Sequence, residues 1–361
     1  MSIFLDYNAT SPLRPEVKNA MMDVLGPPGN PSSVHEYGRV AKTHLEKARI
    51  QVAKLSGSEP DNIIFTSCGT EANAMVLKNA QKPLVSSIEH DAVLNSCKNI
   101  SFINVSQNGQ VDLLDFKQKL EEVKPDYLSV MWANNETGII QPISEIINIA
   151  KSYNVHIHCD AVQAVGKIPI NFKSSGLDSM AISAHKLGGP SGVGALVLSN
   201  NAFFDPLIKG GGQEKGRRSG TENLSGIVGF GIAAQIAKSE VSNNKVQKNR
   251  HNVFEKTLKD NLSDIKIIGE NVERLPNTSA LYMPYLSSET QVIALDLEGF
   301  AISAGSACSS GKVKKSHVLE AMGISWASNK TIRVSSGWQN NRDDLEKLAQ
   351  SYIELYKKAE K

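Results

Sequence analysis

Short apolar runs alternate with amphipathic stretches through the first half of the chain, and this alternation constrains the fold more than any other feature. Helical patterns with apolar residues three or four positions apart separate the runs. Strand and helix in alternation predict an α/β fold whose mostly parallel sheet is covered on both faces. Ligands of such sheets bind beyond the carboxyl ends of the strands. The candidate strands are residues 63–65, 84–88, 102–105, 127–132, 155–159, 180–183 and 194–198.

The length of the chain favours two domains. A single small core does not need 361 residues, so a second folding unit is expected. We expect a large domain over residues 15–245, and a smaller α+β domain formed by residues 1–14 and 246–361. A long helical pattern over residues 223–262 would lead out of the large domain.

Charge and cysteine content exclude several classes of function. The formal net charge is only +2, which gives no reason to expect nucleic acid or a membrane surface as a partner. An acid at Asp6 stands where a secretory signal would be apolar, so we expect no export and a cytoplasmic location. Cysteines are few and widely spaced, so we expect neither a disulfide framework nor a metal site. They are Cys68, Cys97, Cys159 and Cys308.

Three strand ends carry candidate site residues that are weak when taken singly. Gly69 and Thr70 open a helix after the first strand, and such a helix start offers N–H groups and a hydroxyl to a phosphate. An ordinary helix cap at Thr70 explains the same residues. His90 can stack on a planar cofactor or move a proton, although structural histidines are commoner. Asn135 can donate a hydrogen bond to a ligand or simply form a turn.

Asp160 and Lys186 form a more specific combination. Asp160 ends the strand at 155–159, and Lys186 follows the strand at 180–183. A carboxylate can pair with a protonated ring nitrogen, and a lysine can bind the aldehyde of the same cofactor covalently. Ser183 and His185 could help to hold a phosphate. An ion pair at the sheet edge is the alternative, but the recurrence of these types at ligand-facing ends favours a function.

Cys308 lies in a run of small residues, 304–311, that is typical of an exposed loop. Lys312, Lys314 and Lys315 follow closely, and nearby positive charge favours the reactive thiolate. A small residue in a small-residue loop is the alternative interpretation.

Two further segments could bind anions. Residues 209–221 are glycine-rich and basic, and could cradle an anion, but they lack the spacing of a P-loop. A flexible loop would have the same composition. Arg333, inside an expected strand at 331–335, could bind a substrate carboxylate through its planar fork or form a structural ion pair.

Taken together, these segments resemble the NifS/IscS-type cysteine desulfurases of the class V aminotransferase group. The resemblance implies the fold type I of pyridoxal-phosphate-dependent transferases, with a mostly parallel seven-stranded sheet in the large domain and a smaller α+β domain. Its most specific motifs occur in the family's order. They are Cys68-Gly69-Thr70-Glu71, Glu89-His90, Asn134-Asn135-Glu136, Asp160-Ala161-Val162-Gln163, Ser183-Ala184-His185-Lys186, Arg218-Ser219-Gly220-Thr221 and Gly305-Ser306-Ala307-Cys308.

The resemblance also implies the reaction and the role of each site residue. Pyridoxal 5'-phosphate would be the cofactor and L-cysteine the substrate, with Lys186 and His90 assisting proton transfer and Cys308 receiving the sulfur as a persulfide. Asp160 would pair with the pyridine nitrogen. The remaining implied contacts are Asn135 and Gln163 with the ring, His90 stacked on it, Gly69, Thr70, Ser183 and His185 with the phosphate, Thr221 with the phosphate of a second subunit, and Arg333 and Asn30 with the substrate carboxylate.

The resemblance implies a homodimer and a sulfur-accepting partner protein, such as an iron–sulfur scaffold. An aminotransferase or a selenocysteine lyase of the same fold is the alternative. The loop around Cys308 favours the desulfurase, because a transaminase needs no thiol. The presence of both Lys186 and Asp160 disfavours a scaffold that has lost its cofactor.

Overall fold

The computed structural model of the protein describes residues 2–200, 202, 204–305 and 315–361. In this part of the chain the first strands and helices are β1 (Ile3–Phe4), α1 (Pro15–Leu25), α2 (Glu36–Ser56), β2 (Ile63–Thr66), α3 (Gly69–Leu77), β3 (Pro83–Ser86), α4 (Asp91–Leu94), β4 (Ser101–Ile103), α5 (Leu113–Val123), β5 (Tyr127–Ser129), α6 (Ile143–Ala150), β6 (His156–Asp160), α7 (Phe172–Ser175), β7 (Ser179–Ser183) and β8 (Gly194–Leu198). They are followed by α8 (Leu224–Glu240), α9 (Asn244–Asn261), β9 (Lys266–Ile267), β10 (Thr278–Tyr282), α10 (Ser288–Leu297), β11 (Phe300–Ala301), α11 (His317–Ala321), β12 (Thr331–Ser335) and α12 (Arg342–Glu360).

A seven-stranded sheet, called the large sheet below, has the order β2-β8-β7-β6-β5-β3-β4. Strands β3 to β7 run parallel, while β8 is antiparallel to both of its neighbours. Because β8 runs opposite to both β2 and β7, these two strands point the same way. The carboxyl end of β2 therefore lies at the same edge of the sheet as the carboxyl ends of β3 to β7. The predicted mostly parallel seven-stranded sheet is confirmed.

Helices cover both faces of the large sheet. Alternate residues of β2 join different buried clusters: Ile63 and Phe65 pack with α2 and α8, and Ile64 packs with α3. This split follows from the two-residue period of a strand, which sends successive side chains to opposite faces. Burial on both faces explains why the strands of this sheet are continuous apolar runs.

The long helical pattern at 223–262 is interrupted, contrary to the prediction. Helix α8 ends at Glu240, and a single 3₁₀ turn at Val241–Asn243 precedes α9. The residues at the break are β-branched, serine and asparagine, which favour the helix weakly. The Asn244 side-chain amide donates to the carbonyl of Lys167, which ties the break to the loop that follows β6.

A second core lies around the antiparallel sheet β12-β10-β9, called the small sheet below. Apolar residues of α9, α10 and α12 pack there, and Leu5 from the start of the chain joins them. Strand β1 pairs with β11, and Asp6 bridges Ser335 at the end of β12. The division of the chain at residues 15 and 245 stays a prediction.

None of the helices in the described ranges is both long enough and apolar enough to cross a membrane.

Candidate active site

A cavity of about 220 Å³ lies at the carboxyl edge of the large sheet. Residues that follow β2, β3, β5, β6 and β7 converge on it, as the direction of these strands requires. The cavity is lined by Cys68, Gly69, Thr70, Asn73, His90, Ala92, Met131, Ala133, Asn135, Asp160, Val162, Gln163, Ser183, His185 and Lys186. Most of the residues predicted to bind a cofactor therefore share one cavity.

One end of the cavity is the beginning of helix α3. Cys68 caps this helix, its Sγ accepting from the Glu71 amide at 3.4 Å. Because Cys68 caps the helix, the Thr70 hydroxyl is not used as a helix cap, and Thr70 is exposed. Within the described part of the chain, the amides of Gly69 and Thr70 and the hydroxyls of Thr70 and Ser183 have no hydrogen-bond partner. Unpaired donors at the positive end of a helix suit an anion.

Gly69 is required by the packing at this helix start. A Cβ atom placed on Gly69 would lie 2.8 Å from Val162 Cγ2, a distance that carbon atoms cannot tolerate without moving. The loop after β6 is therefore packed directly against the first turn of α3. This close approach places the unpaired N–H and hydroxyl donors at the start of α3 beside the residues that follow β6.

Lys186 ends the 3₁₀ turn Ala184–Lys186 after β7. Its Nζ donates to the carbonyl oxygens of Asn8 at 2.6 Å and Ala9 at 2.8 Å. Burial, together with the positive charge of Arg333, lowers the pKa of Lys186 to about 8. A lysine with such a pKa is partly neutral near neutral pH, and a neutral amine is the form that attacks an aldehyde.

Asp160 is the last residue of β6 and is buried. Its Oδ1 accepts from the Val162 amide at 3.0 Å, and its Oδ2 accepts from Asn73 Nδ2 at 2.7 Å. Both contacts fix the orientation of the carboxylate in the cavity wall. An oriented carboxylate there can pair with a cationic ring nitrogen.

His90 caps the short helix α4, and its Nδ1 accepts from the Ala92 amide at 3.0 Å. This hydrogen bond assigns the ring proton to Nε2. His185, on the other side of the cavity, contacts Thr10 Oγ1 through Nδ1 at 3.2 Å, and burial lowers the pKa of His185 to about 4. A neutral His185 can donate to an anion without adding a charge.

Gln163 and Asn135 connect the cavity wall to the N-terminal segment. Gln163 Nε2 donates to the Asn8 carbonyl at 2.9 Å, and Gln163 Oε1 accepts from Lys167 Nζ at 2.9 Å. The Asn135 carbonyl accepts from Arg333 Nη1 at 2.8 Å. Both side chains line the cavity, although the amide oxygen of Gln163 already has a partner within the protein.

Three predicted site residues lie away from this cavity. Arg333 is buried on β12, and its Nη2 donates to Asp6 Oδ1 at 2.6 Å, while Nε has no partner among the described residues. Asn30 lies in an exposed turn, where its Oδ1 accepts from the Ser32 amide at 2.9 Å. Thr221 is exposed.

Cys308 lies outside the described residues, so its predicted role stays a prediction. The described residues on either side of it meet at Glu136. Ser316 Oγ donates to Glu136 Oε2 at 2.5 Å, and a Cβ on Gly305 would lie 3.6 Å from the same oxygen. Burial raises the pKa of Glu136. Arg333 lines the same small cavity as these three residues.

Asn73, Asn8 and Lys167 are site residues that the sequence did not reveal. Asn73 lies four positions after Gly69 on α3, and this helical spacing was a usable signal, because such residues share one face. No comparable signal existed for Asn8, whose Oδ1 accepts from Lys167 Nζ at 2.7 Å across a separation of 159 residues.

The donor set of the cavity fits pyridoxal 5'-phosphate. Unpaired donors at the start of α3 suit its phosphate, the Asp160 carboxylate suits a protonated ring nitrogen, and Lys186 suits its aldehyde. The close packing of Gly69 against Val162 leaves this helix start without a side chain that would block an anion.

Comparisons with known proteins agree with this geometry. Residues 3–348 match the Aminotransferase class-V family. The chain is 40% identical to the cysteine desulfurase IscS of Dictyoglomus turgidum, covering 95% of this chain and 91% of the relative. The solved structure of a NifS-like protein from Rickettsia africae has 36% identity and a TM-score of 0.91, covering 99% of this chain and 100% of that one. A structure described as SspA in complex with cysteine has 28% identity and a TM-score of 0.78, covering 93% of this chain and 98% of that chain.

The chain belongs to the class V aminotransferase family and is an enzyme of that family. Within it, the predicted resemblance to the NifS/IscS-type cysteine desulfurases is confirmed, as is the predicted fold class.

Proposed function

We propose that the protein is a cysteine desulfurase that binds pyridoxal 5'-phosphate, converts L-cysteine to L-alanine and collects the sulfur on Cys308. The observation that carries the proposal is the shared cavity, which Lys186, Asp160 and the residues with unpaired donors at the start of α3 all line. Relatives named as cysteine desulfurases support the reaction, and a related structure that contains cysteine supports the substrate.

Each group in the cavity has a defined task in this proposal. Thr70, Ser183 and the first amides of α3 would hold the phosphate, Lys186 would provide the covalent attachment, and Asp160 would pair with the protonated ring nitrogen. An electron sink for the substrate is the chemistry that pyridoxal phosphate supplies when bound. The free Lys186 amine could take the Cα proton of the substrate, because its lowered pKa leaves it partly neutral.

The substrate carboxylate is assigned to Arg333, with Asn30 as a second candidate contact. Among the described residues, Arg333 Nη1 donates to the Asn135 carbonyl and Nη2 to Asp6, while Nε has no partner. A substrate carboxylate would therefore use Nε and a remaining Nη hydrogen, or compete with Asp6 for the guanidinium. Competition of this kind would loosen the N-terminal segment whose carbonyls accept from Lys186.

The proposed transfer of sulfur from the substrate to Cys308 conserves atoms and electrons and needs no external oxidant. The Cys308 thiolate attacks the substrate sulfur, the sulfur–carbon bond breaks, and a sulfur–sulfur bond forms on Cys308. The electrons of the broken bond and a proton go to the substrate carbon, which leaves as alanine. The terminal persulfide sulfur is then available to an acceptor protein.

A homodimer is part of the proposal. The segment that ends at Thr221 is held on its own subunit, since Arg218 Nε donates to Glu71 Oε1 at 2.8 Å. Thr221 itself remains exposed and absent from the lining of its own cavity. An exposed hydroxyl beside a helix start is suited to a phosphate in a second subunit. Sedimentation at micromolar concentration should give the dimer mass, and a fully active monomer would contradict it.

The decisive experiment compares Lys186→Ala with Cys308→Ala. Lys186→Ala should abolish the visible band that borohydride removes, because Lys186 is the one lysine among the described residues that line the cavity. Cys308→Ala should retain that band but lose alanine formation from L-cysteine. Mass spectrometry of the parent, treated with L-cysteine, should find the persulfide on the peptide that contains Cys308.

Cys97→Ala is the matched control for the thiol. Cys97 lies in the connection between α4 and β4 and does not line the cavity, and burial raises the pKa of its thiol. Its loss should therefore leave both the band and alanine formation intact. Undiminished alanine formation by Cys308→Ala would indicate a lyase or transaminase of another kind.

A further inference from the structure

Asp160 is the end of a continuous hydrogen-bond chain beneath the cavity, called the Asp160 chain below. It consists of Ser179, His158, Asn73 and Asp160, and the ring of His156 contacts its far end, His156 Nε2 lying 2.7 Å from Ser179 Oγ. Ser179 Oγ contacts His158 Nδ1 at 2.8 Å, His158 Nε2 contacts Asn73 Oδ1 at 2.8 Å, and Asn73 Nδ2 donates to Asp160 Oδ2 at 2.7 Å. Ser179, His158 and Asn73 are all 0% exposed. Solvent therefore cannot supply alternative partners.

The direction of every proton in the chain follows from its end. An ionised Asp160 only accepts hydrogen bonds, so Asn73 turns its NH₂ group toward it and its carbonyl oxygen toward His158. That oxygen needs a donor, which fixes the proton of His158 on Nε2 and leaves Nδ1 as an acceptor. Ser179 must then donate to Nδ1. All hydrogen bonds point toward Asp160, and such aligned bonds reinforce one another.

The chain supports Asp160 without adding a positive charge. Burial lowers the pKa of His158 to about 3, so this histidine is neutral in the working range. Among the described residues, the hydrogen-bond partners of Asp160 are the Asn73 amide and the Val162 backbone amide, which are both neutral. A buried carboxylate held only by dipoles lacks a bonded counter-ion, and a cationic ring nitrogen would supply it.

We propose that Asn73, His158 and Ser179 are positioning residues, which hold the Asp160 carboxylate turned into the cavity so that it pairs with the protonated ring nitrogen of the cofactor. The inference rests on the proposed function, because it assumes that pyridoxal phosphate occupies the cavity. In this role, Asn73 and His158 do not contact the reacting atoms. They act by fixing the orientation of the Asp160 carboxylate.

The first test needs no variant and no cofactor. In the apo-protein labelled with ¹⁵N-histidine, His158 should appear at pH 7 as the neutral form protonated on Nε2. A charged ring, or a proton on Nδ1, would overturn the direction of the chain.

The second test measures the dissociation constant of pyridoxal phosphate by equilibrium dialysis. His158→Phe leaves the Asn73 carbonyl without its donor, and we expect the constant to rise about tenfold, the scale of one lost hydrogen bond to a charged site. His158→Gln keeps a side-chain N–H that can reach Asn73, and should bind within about threefold of the parent, the scale of a partly restored hydrogen bond. Asn73→Asp places a second carboxylate against Asp160, and should weaken binding most.

His251→Phe is the matched control. His251 is also buried, and its ring nitrogens contact Ser279 and Ser336 at 2.8 Å each, in the core of the small sheet. It should lose stability like His158→Phe but keep the parent dissociation constant. Equal dissociation constants in both phenylalanine variants would overturn the positioning role alone. Failure of the parent to bind pyridoxal phosphate would overturn the proposed function instead.

Discussion

Two buried histidines, His158 beneath the large-sheet cavity and His251 in the core of the small sheet, look nearly identical when each is considered alone. Their exposures are 0% and 4%, and burial lowers the pKa of each to about 3. Each makes two side-chain hydrogen bonds of 2.8 Å. Burial and titration therefore do not distinguish the histidine that serves a site from the one that serves a core.

The carboxylates at the ends of the two networks do distinguish them. His251 leads through Ser279 to Glu255, and Glu255 forms a bidentate pair with Arg274 at 2.8 Å for each hydrogen bond. His158 leads to Asp160, whose carboxylate accepts from two neutral amides in the described part of the chain. The small-sheet network contains its own counter-ion, whereas among these residues the network under the cavity has none hydrogen-bonded to it. A carboxylate without a bonded counter-ion is thus the feature that marks the site.

The two networks also require opposite histidine tautomers. Ser279 Oγ donates to Glu255 Oε1 at 2.5 Å, so it must accept from His251, which places the His251 proton on Nδ1. The Asp160 chain places the His158 proton on Nε2. The two histidines therefore carry their proton on different ring nitrogens, and in each case the carboxylate at the end of the network determines which nitrogen is protonated.

The largest contrast is expected from neutralising the two carboxylates. Asp160→Asn should lower the rate of alanine formation by about 10² or more, the scale of one lost preorganised electrostatic contact. It removes a buried charge that has no bonded counter-ion, so the free energy of unfolding should fall by less than about 1 kcal/mol. Urea unfolding and an alanine assay measure the two quantities on one preparation.

Glu255→Gln should show the reverse pattern. It leaves the Arg274 guanidinium without its counter-ion. Loss of one member of a fully buried pair costs about 3–5 kcal/mol, and this pair, whose side chains are 13% and 11% exposed, should approach the lower end of that range. The rate per folded molecule should stay near that of the parent, because Glu255 lies in the small-sheet core. If Asp160→Asn destabilises the protein as much as Glu255→Gln does, the distinction between the two carboxylates is wrong.

A smaller effect, shared by both histidines, is expected on the acid side of the stability profile. Each folded-state pKa of about 3 lies below the ordinary value of 6.5, so the unfolded chain binds the proton more tightly. Stability is then present above pH 6.5 and is lost as the pH falls toward 3. Each histidine should contribute a slope of up to about 1.4 kcal/mol per pH unit.

His158→Gln and His251→Gln test this shared effect. Each variant removes one titrating ring, so unfolding free energies measured between pH 6.5 and 4 should fall less steeply than in the parent. The two variants should flatten the profile to a similar extent. A steep profile that survives in only one of them would show that its histidine is not neutral in the folded state.

The sequence predicted the parts of the site that depend on strand direction. Asp160, Ser183 and Lys186 follow strands of one parallel sheet, so their positions after apolar runs were enough to bring them to one edge. The fold class followed from the same alternation of strand and helix. Local patterns carry this information, because a strand and the turn after it are adjacent in sequence.

The supporting contacts could not be predicted, because they join distant parts of the chain. Lys186 donates to the carbonyl of Asn8 across 178 residues, and Arg333 pairs with Asp6 across 327. Neither contact has a periodic pattern, and a backbone carbonyl has no residue signature at all. The Asp160 chain could not be predicted for the same reason, since nothing in the sequence around His158 on β6 indicates that its partner is Asn73 on α3.

The smallest expected effect comes from the serines that polarise the two histidines. Ser179→Ala removes the hydroxyl that contacts His158 and His156, and Ser279→Ala removes the one that contacts His251 and Glu255. Each variant should lose about 1 kcal/mol of stability for each hydrogen bond removed. Their consequences for the rings should differ. Ser179→Ala removes the only donor to His158 Nδ1, but Asn73 still requires the proton on Nε2, so the tautomer should persist and cofactor affinity should change by less than about threefold. Ser279→Ala removes the acceptor that holds the His251 proton on Nδ1, while Ser336 can both donate and accept. The ¹⁵N spectrum of that variant should therefore show His251 shifting toward the Nε2 form, with pyridoxal phosphate affinity unchanged. A His158 tautomer that switches in Ser179→Ala would mean that the serine, and not the carboxylate at the far end, sets the polarity of the Asp160 chain.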